Sequence, residues 1–149
     1  MGLPVFLFRI VAYVTGCVMI FSESGEKGEK MDRKLMGQVA EEAAVNYLKH
    51  QGYQILERNY RSSLGEIDII AQDRDTLVFI EVRSRQGTRF GLPQETVNLA
   101  KQQKVKRMAA QYLKAKNAWK KICRFDVVGI LFNEQGEVKS LELIRDAFS

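Results

Sequence analysis

Two acidic residues lie within segments that otherwise have the composition of buried β-strands. Asp68 belongs to the stretch GEIDII, and Glu81 belongs to the stretch TLVFIEVRSR that follows it. Burying even a neutral polar group without a hydrogen bond costs about 2–7 kcal/mol, and an unpaired carboxylate costs more. We therefore expect both carboxylates to be compensated by a metal ion or by basic side chains.

The spacing of these residues brings the two carboxylates together. The polar residues 73–75 between the two strands predict a β-hairpin. A turn centred on them places Asp68 opposite Glu81, with Cβ atoms about 4.5–5.5 Å apart. The same register places Glu66 opposite Arg83 on that face. Like charges at this separation repel unless a cation lies between them, so Asp68 and Glu81 are the predicted ligands of Mg²⁺ or Mn²⁺.

An ordinary ion-pair network is the alternative to a metal site. Arg83 and Arg85 lie on the same strand as Glu81 and could neutralise the carboxylates. A register slip of one residue would also separate the two acids, because it moves every side chain to the opposite face.

Two amphipathic helices are predicted to flank the strands, over residues 34–50 and about 94–117. Glu41 lies at the edge of the apolar stripe of the first helix and is therefore its best candidate to reach the sheet. Lys101 lies close to the centre of the apolar stripe of the second helix. There it requires a carboxylate or a ligand, unless its side chain turns to solvent.

The second helix also begins the most basic part of the chain. Residues 101–124 contain nine Lys and Arg and no Asp or Glu, in a chain of net charge +5. Lys104, Arg107 and Lys114 cluster on one flank of the helix. They predict a surface that attracts nucleic-acid phosphates, with a solvated helix face as the alternative.

Length and composition favour one globular domain. The chain has 149 residues, of which 46% are hydrophobic and 28% are charged. The predicted order α-β-β-β-α-β-β over residues 31–149 indicates an α/β domain with a mixed central sheet flanked by helices. The two cysteines are far apart and have no zinc-like spacing, which favours a reduced, cytoplasmic protein.

Residues 1–30 differ in composition from this domain. Residues 3–21 are almost wholly apolar and about long enough to cross a bilayer, although Arg9 would cost about 2.5–3.5 kcal/mol near the centre. Gly28-Glu29 can be encoded by a purine-rich ribosome-binding sequence just upstream of the codon for Met31. We therefore expect that translation begins at Met31 and that residues 1–30 are a mis-assigned extension. The alternatives are a membrane anchor and, after it, an export signal.

Seven short motifs are distributed over residues 35–148. They are Gly37-x-x-Ala40-Glu41-x-x-Ala44, Gly52-Tyr53, Asn59-Tyr60-Arg61, GEIDII, FIEVRSR, the helix containing Lys101, and RFDVV at residues 124–128. Together they resemble the YraN-like family of uncharacterised bacterial proteins, which is assigned to the PD-(D/E)xK nuclease superfamily. The resemblance implies a restriction-endonuclease-like single domain with a core similar to that of archaeal Holliday-junction resolvases.

The resemblance also implies roles for individual residues. Glu41 is the helix carboxylate, and Asp68 and Glu81 are the two strand carboxylates. Arg83 occupies the position of the superfamily's lysine, but arginine is a poor general base and does not replace lysine conservatively. In some superfamily members the lysine comes from the following helix, where Lys101 lies in this chain.

The implied function is that of a DNA-binding, Mg²⁺- or Mn²⁺-dependent endonuclease-like protein acting on branched or structured DNA. A symmetric junction would favour a homodimer. A DNA-binding module that keeps the nuclease fold without catalysis is the alternative, and Arg83 favours it. The other alternative is a membrane-tethered adaptor that uses residues 3–21.

Overall fold

The computed structural model describes residues 9–10, 20–21, 32–87, 92, 95 and 97–149. Most of the predicted anchor over residues 3–21, as well as the predicted start at Met31, lies outside the described residues. Two short strands within the N-terminal segment, β1 (Arg9–Ile10) and β2 (Ile20–Phe21), pair in antiparallel fashion. No helix in the described part of the chain is long and apolar enough to cross a membrane.

A five-stranded sheet and two helices form the rest of the described chain. In order they are α1 (Arg33–His50), β3 (Gln54–Ser62), β4 (Gly65–Asp73), β5 (Thr76–Gln86), α2 (Leu99–Ala115), β6 (Ile122–Phe132) and β7 (Val138–Ile144). The strands lie in the order β3-β4-β5-β6-β7; β5 and β6 are parallel, and the other neighbours are antiparallel. The predicted mixed α/β architecture and element order are confirmed.

Local capping interactions set the starts of both helices. The side chain of Asp32 accepts a hydrogen bond from the backbone N–H of Lys34 (3.4 Å), and that of Asn98 accepts one from Lys101 (3.0 Å). Asn98 therefore satisfies one of the free N–H groups of the first turn of α2. The helix begins at Leu99, later than its apolar periodicity predicted, because periodicity alone does not locate a cap.

Apolar side chains cover both faces of the sheet. On the α1 face the core includes Ala40, Ala44, Leu48, Ile69, Ile80, Val128 and Ile130. On the α2 face it includes Ile67, Ile70, Phe79, Val105, Met108 and Tyr112. Central strands that are covered on both faces are nearly continuous apolar runs. An acidic residue in the middle of β5, such as Glu81, is therefore buried on either face of the sheet.

The predicted register of the β4–β5 hairpin is confirmed where these strands pair. Backbone pairing extends from the turn as far as Ile69 and Ile80, which is one step short of Asp68 and Glu81. Beyond this step β4 continues to pair with β3 as far as Gly65. The two predicted carboxylates therefore lie where β4 parts from β5.

A different buried carboxylate, Asp126 on β6, is fully hydrogen-bonded within the fold. Arg124 donates to it through Nε (2.8 Å) and Nη2 (2.9 Å) and also donates to Asp73 (2.9 Å). The hydroxyl of Tyr53 donates to Asp126 as well (3.1 Å), as does the backbone N–H of Asp146 (3.0 Å). This network joins the start of β3, the hairpin tip and the end of the chain to β6.

We predict that Arg124→Ala lowers the free energy of unfolding by about 3–5 kcal/mol, because it leaves the buried Asp126 without its cationic partner. Urea unfolding followed by circular dichroism measures this change. Lys120→Ala removes an exposed cation nearby and should change the stability by less than about 0.5 kcal/mol. Equal losses in the two variants would contradict the assigned role of Arg124.

Candidate active site

Glu81 is buried between the sheet and α2, with only 1% of its surface exposed. Its Oε2 atom lies 3.0 Å from Nζ of Lys101 in the first turn of α2 and 3.2 Å from Nη2 of Arg83 on its own strand. Two cations therefore share one oxygen of the carboxylate. The other oxygen, Oε1, is buried and has no hydrogen-bond partner.

Asp68 takes the place of a backbone acceptor where the β4–β5 pairing ends. Its Oδ2 atom accepts a hydrogen bond from the backbone N–H of Val82 at 2.8 Å. Burial, reinforced by the negative charge of Glu81, raises the pKa of Asp68 to about 7. Burial also raises the pKa of Glu81, against the opposing effect of Lys101 and Arg83. Because those two cations bond Glu81 directly, Asp68 is the member of the pair that takes up a proton.

Glu66 does not pair with Arg83 as the register suggested. It binds Nε of Arg61 at 3.0 Å, while Arg83 binds Glu81. The prediction was wrong because it continued the β4–β5 pairing past Ile69, whereas β4 remains beside β3 there.

Glu41 extends from α1 toward the same part of the sheet and meets Asn59 of β3. With its amide nitrogen facing the two carboxylates, Asn59 donates to Oε1 of Glu66 (2.7 Å) and to Oε2 of Glu41 (3.3 Å). The flanking backbone pairs place Asn59 level with Asp68. The sequence prediction did not include Asn59 in the site, although the motif Asn59-Tyr60-Arg61 contained it.

The three predicted nucleic-acid-binding residues lie on α2. The side chain of Lys104 passes over Gly65 at the start of β4, where an added Cβ would lie 2.8 Å from its Cε atom. Gly65 also has φ +140°, a conformation that favours glycine. Arg107 and Lys114 are exposed on the surface of the helix, outside the carboxylate cluster.

The donors present fit a divalent cation held by two carboxylates. Glu81 offers a buried oxygen without a hydrogen-bond partner. Burial and the negative charge of Glu81 both oppose the ionisation of the Asp68 carboxyl group, and a bound cation would relieve this. In the described ranges no group of three or more His, Cys, Asp or Glu side chains is arranged to hold a metal ion. A pair of carboxylates suits Mg²⁺, which binds through one or two carboxylates and completes its shell with water and phosphate oxygens.

Comparison with known sequences identifies the family. The pattern of the uncharacterised protein family UPF0102 matches residues 40–130, a range that includes Glu41, Asp68, Glu81 and Lys101. The chain belongs to the UPF0102 family. This assignment confirms the resemblance to the YraN-like family, and placement in the PD-(D/E)xK superfamily is consistent with it.

Relatives in this family are similar over almost their whole length. The UPF0102 protein of Desulforamulus reducens is 49% identical over 119 residues, covering 78% of this chain and 98% of that protein. The UPF0102 protein of Pelotomaculum thermopropionicum is 47% identical over 116 residues, covering 78% of this chain and 97% of that protein. The UPF0102 protein of Caldicellulosiruptor saccharolyticus is 42% identical over 118 residues, covering 79% of this chain and 100% of that protein.

Asp68→Asn and Glu81→Gln should change the stability of the metal-free protein in opposite directions. Because folding raises the pKa of Asp68, the stability that its protonated form contributes is lost as pH rises through about 7. The uncharged amide of Asp68→Asn can still accept from Val82, so the variant should gain stability over the wild type as pH rises from about 4 to about 8.

Glu81→Gln instead leaves Lys101 and Arg83 without their anionic partner, and should lower stability by about 1–3 kcal/mol. Urea unfolding across this pH range measures both effects. If the wild type and Asp68→Asn showed the same pH dependence, the assignment of the raised pKa to Asp68 would be wrong.

Proposed function

We propose that this chain is a divalent-cation-dependent, endonuclease-like protein that hydrolyses phosphodiester bonds in branched or otherwise structured DNA. One observation carries the proposal. Within the described part of the chain, the only buried side-chain polar atoms without a hydrogen-bond partner are Oε1 of Glu81 and Nε of Arg83. One is an acceptor that a cation would satisfy, and the other is a donor that a phosphate oxygen would satisfy.

The contrast with Asp126 argues against a purely structural ion-pair network. Asp126 is as deeply buried as Glu81, and both of its carboxylate oxygens are hydrogen-bonded. Glu81 has two cationic neighbours on one oxygen and none on the other. A carboxylate retained only for stability would be expected to resemble Asp126, because an unsatisfied buried polar atom weakens the fold.

The position of Lys101 supports a role in chemistry. It lies in the first turn of α2, where the helix dipole disfavours a cation. Its contact with Glu81 nevertheless places an amine beside the two carboxylates, on the helix that follows the strand pair. We therefore assign Lys101 to the position of the superfamily's lysine. As the cation paired with Glu81 it orients water or phosphate and does not serve as a general base.

In the proposed reaction Asp68 and Glu81 would hold Mg²⁺ or Mn²⁺. Such a cation, when bound, lowers the pKa of a coordinated water and stabilises the charge that develops on the phosphate. Arg83 neutralises the scissile phosphate through its permanently charged guanidinium. Lys101 orients the attacking water or a phosphate oxygen through Nζ, and Glu41 accepts a hydrogen bond from water at the edge of the site.

The basic flank of α2 positions the substrate. Lys104 lies over Gly65, three residues along β4 from Asp68, so a phosphate bound there would lie about 10 Å along the strand from Asp68. Arg107 and Lys114 extend the positive surface along the helix. Contacts of this kind hold the nucleic-acid backbone without reading its sequence, which agrees with a substrate recognised by its shape. A two-fold symmetric junction would be cut by two copies of the chain.

Cleavage of a labelled four-way junction, a flap and a single strand in Mg²⁺ and in Mn²⁺ tests the proposal. We expect the wild type to cut at least one of these DNAs, and Asp68→Asn and Lys101→Met each to cut at least about 100-fold more slowly. Lys120→Met, which removes an exposed cation away from the carboxylates, is the matched control and should cut normally. Intact substrates in every wild-type reaction would refute the catalytic proposal.

A DNA-binding module without catalysis is the second candidate, favoured by Arg83 at the position of the superfamily's lysine. It predicts that DNA binding survives Asp68→Ala and Glu81→Ala. Both candidates predict that Lys104→Glu and Arg107→Glu weaken binding, and that each lost phosphate contact reduces the slope of log affinity against log salt by about one. Fluorescence anisotropy over a salt series measures this. Binding without cleavage by the wild type would select the second candidate.

A further inference from the structure

We infer that Asn59 is a positioning residue of the carboxylate site and that it acts through Glu41. The inference rests on the proposed function and extends it to a residue of β3. Its first support is the backbone of Asn59, which has φ +51°. This left-handed conformation is uncommon for any residue other than glycine, although asparagine tolerates it better than most.

The location of this conformation is unusual. Among the described residues four non-glycine residues have positive φ, and the other three are Arg74, Asn117 and Asp146. Those three follow the ends of strands or helices, where turns require such a backbone. Asn59 lies within β3, level with Asp68 on β4. A strained backbone in the interior of a strand persists where surrounding contacts hold it, and such positions are concentrated at functional sites.

The amide of Asn59 supplies those contacts. It donates to Glu66 at 2.7 Å and to Glu41 at 3.3 Å, so one nitrogen lies between carboxylates from two different elements. Without a donor between them, these carboxylates would repel each other. The neutral amide joins them without adding charge, and it holds Glu41 beside Glu66 of β4, the strand that also carries Asp68.

Attachment of α1 to the sheet does not depend on this amide. The helix packs through Ala40, Ala44 and Leu48, and Glu42 forms a separate ion pair with Arg58 of β3 at 3.0 Å. Glycine at position 59 would adopt the observed backbone without strain. What asparagine adds over glycine is therefore the amide and the orientation of Glu41.

The test compares Asn59→Gly with Asn117→Gly. Asn117 has the same φ of +51° and is exposed after α2, so the second variant makes the same backbone change away from the site. We expect both variants to remain folded, with a slightly lower unfolding midpoint for Asn59→Gly, because Glu41 and Glu66 then lack the donor between them. We also expect Asn59→Gly alone to lower both the Mn²⁺ affinity, measured by electron paramagnetic resonance, and the cleavage rate, each by about 10–100-fold.

A double-mutant cycle with Glu41→Gln shows whether the effect passes through Glu41. In the Glu41→Gln background, Asn59→Gly should change Mn²⁺ affinity and cleavage by less than about 2-fold, because the oriented carboxylate is already gone. Independent, multiplicative losses would overturn the inference. So would wild-type Mn²⁺ affinity and cleavage in Asn59→Gly.

The Mn²⁺ measurement separates this inference from the proposed function. A wild type that binds Mn²⁺ but cuts no DNA would refute catalysis, while coupling of Asn59 and Glu41 in Mn²⁺ affinity would still support the positioning role. If the wild type cuts DNA and Asn59→Gly cuts it equally well, the positioning role alone is refuted. A wild type that neither binds Mn²⁺ nor cuts would overturn both.

Discussion

The ion pair between Lys101 and the buried Glu81 is the interaction on which the rest of the site depends. A carboxylate buried between the sheet and α2 can remain ionised only if a cation lies beside it, and such pairs contribute little net stability because the buried charge loses its water. Lys101 brings that cation from the first turn of α2, and Arg83 brings a second along β5. Together they occupy one oxygen of Glu81, and the other oxygen is buried without a hydrogen-bond partner.

The sequence predicted the parts of this arrangement that depend on local geometry. The two-residue period of strands and a short polar turn were enough to derive the register of the β4–β5 hairpin, which the structure confirms as far as Ile69. The helical period was enough to place Lys101 on the inward side of α2. The family and the α-β-β-β-α-β-β order followed from motifs and apolar patterning, which the comparisons and the fold confirm.

The parts that the sequence did not predict depend on tertiary structure. No local pattern indicates where β4 parts from β5, so Glu66 was assigned to Arg83 although it binds Arg61. Asn59 was missed because neither its left-handed backbone nor its contact with Glu41 of α1 follows from a local sequence pattern. The oxygen of Glu81 that lacks a partner can be recognised only once every neighbouring donor is in place.

Anomalous diffraction at the manganese absorption edge, from crystals of the full chain equilibrated with Mn²⁺, tests whether Asp68 and Glu81 bind a divalent cation together. We predict a peak between Asp68 and Oε1 of Glu81, within about 2.0–2.6 Å of a carboxylate oxygen of each, with Lys101 still bound to Oε2 of Glu81. Ordered Asp68 and Glu81 side chains without a peak between them, at saturating Mn²⁺, would contradict it.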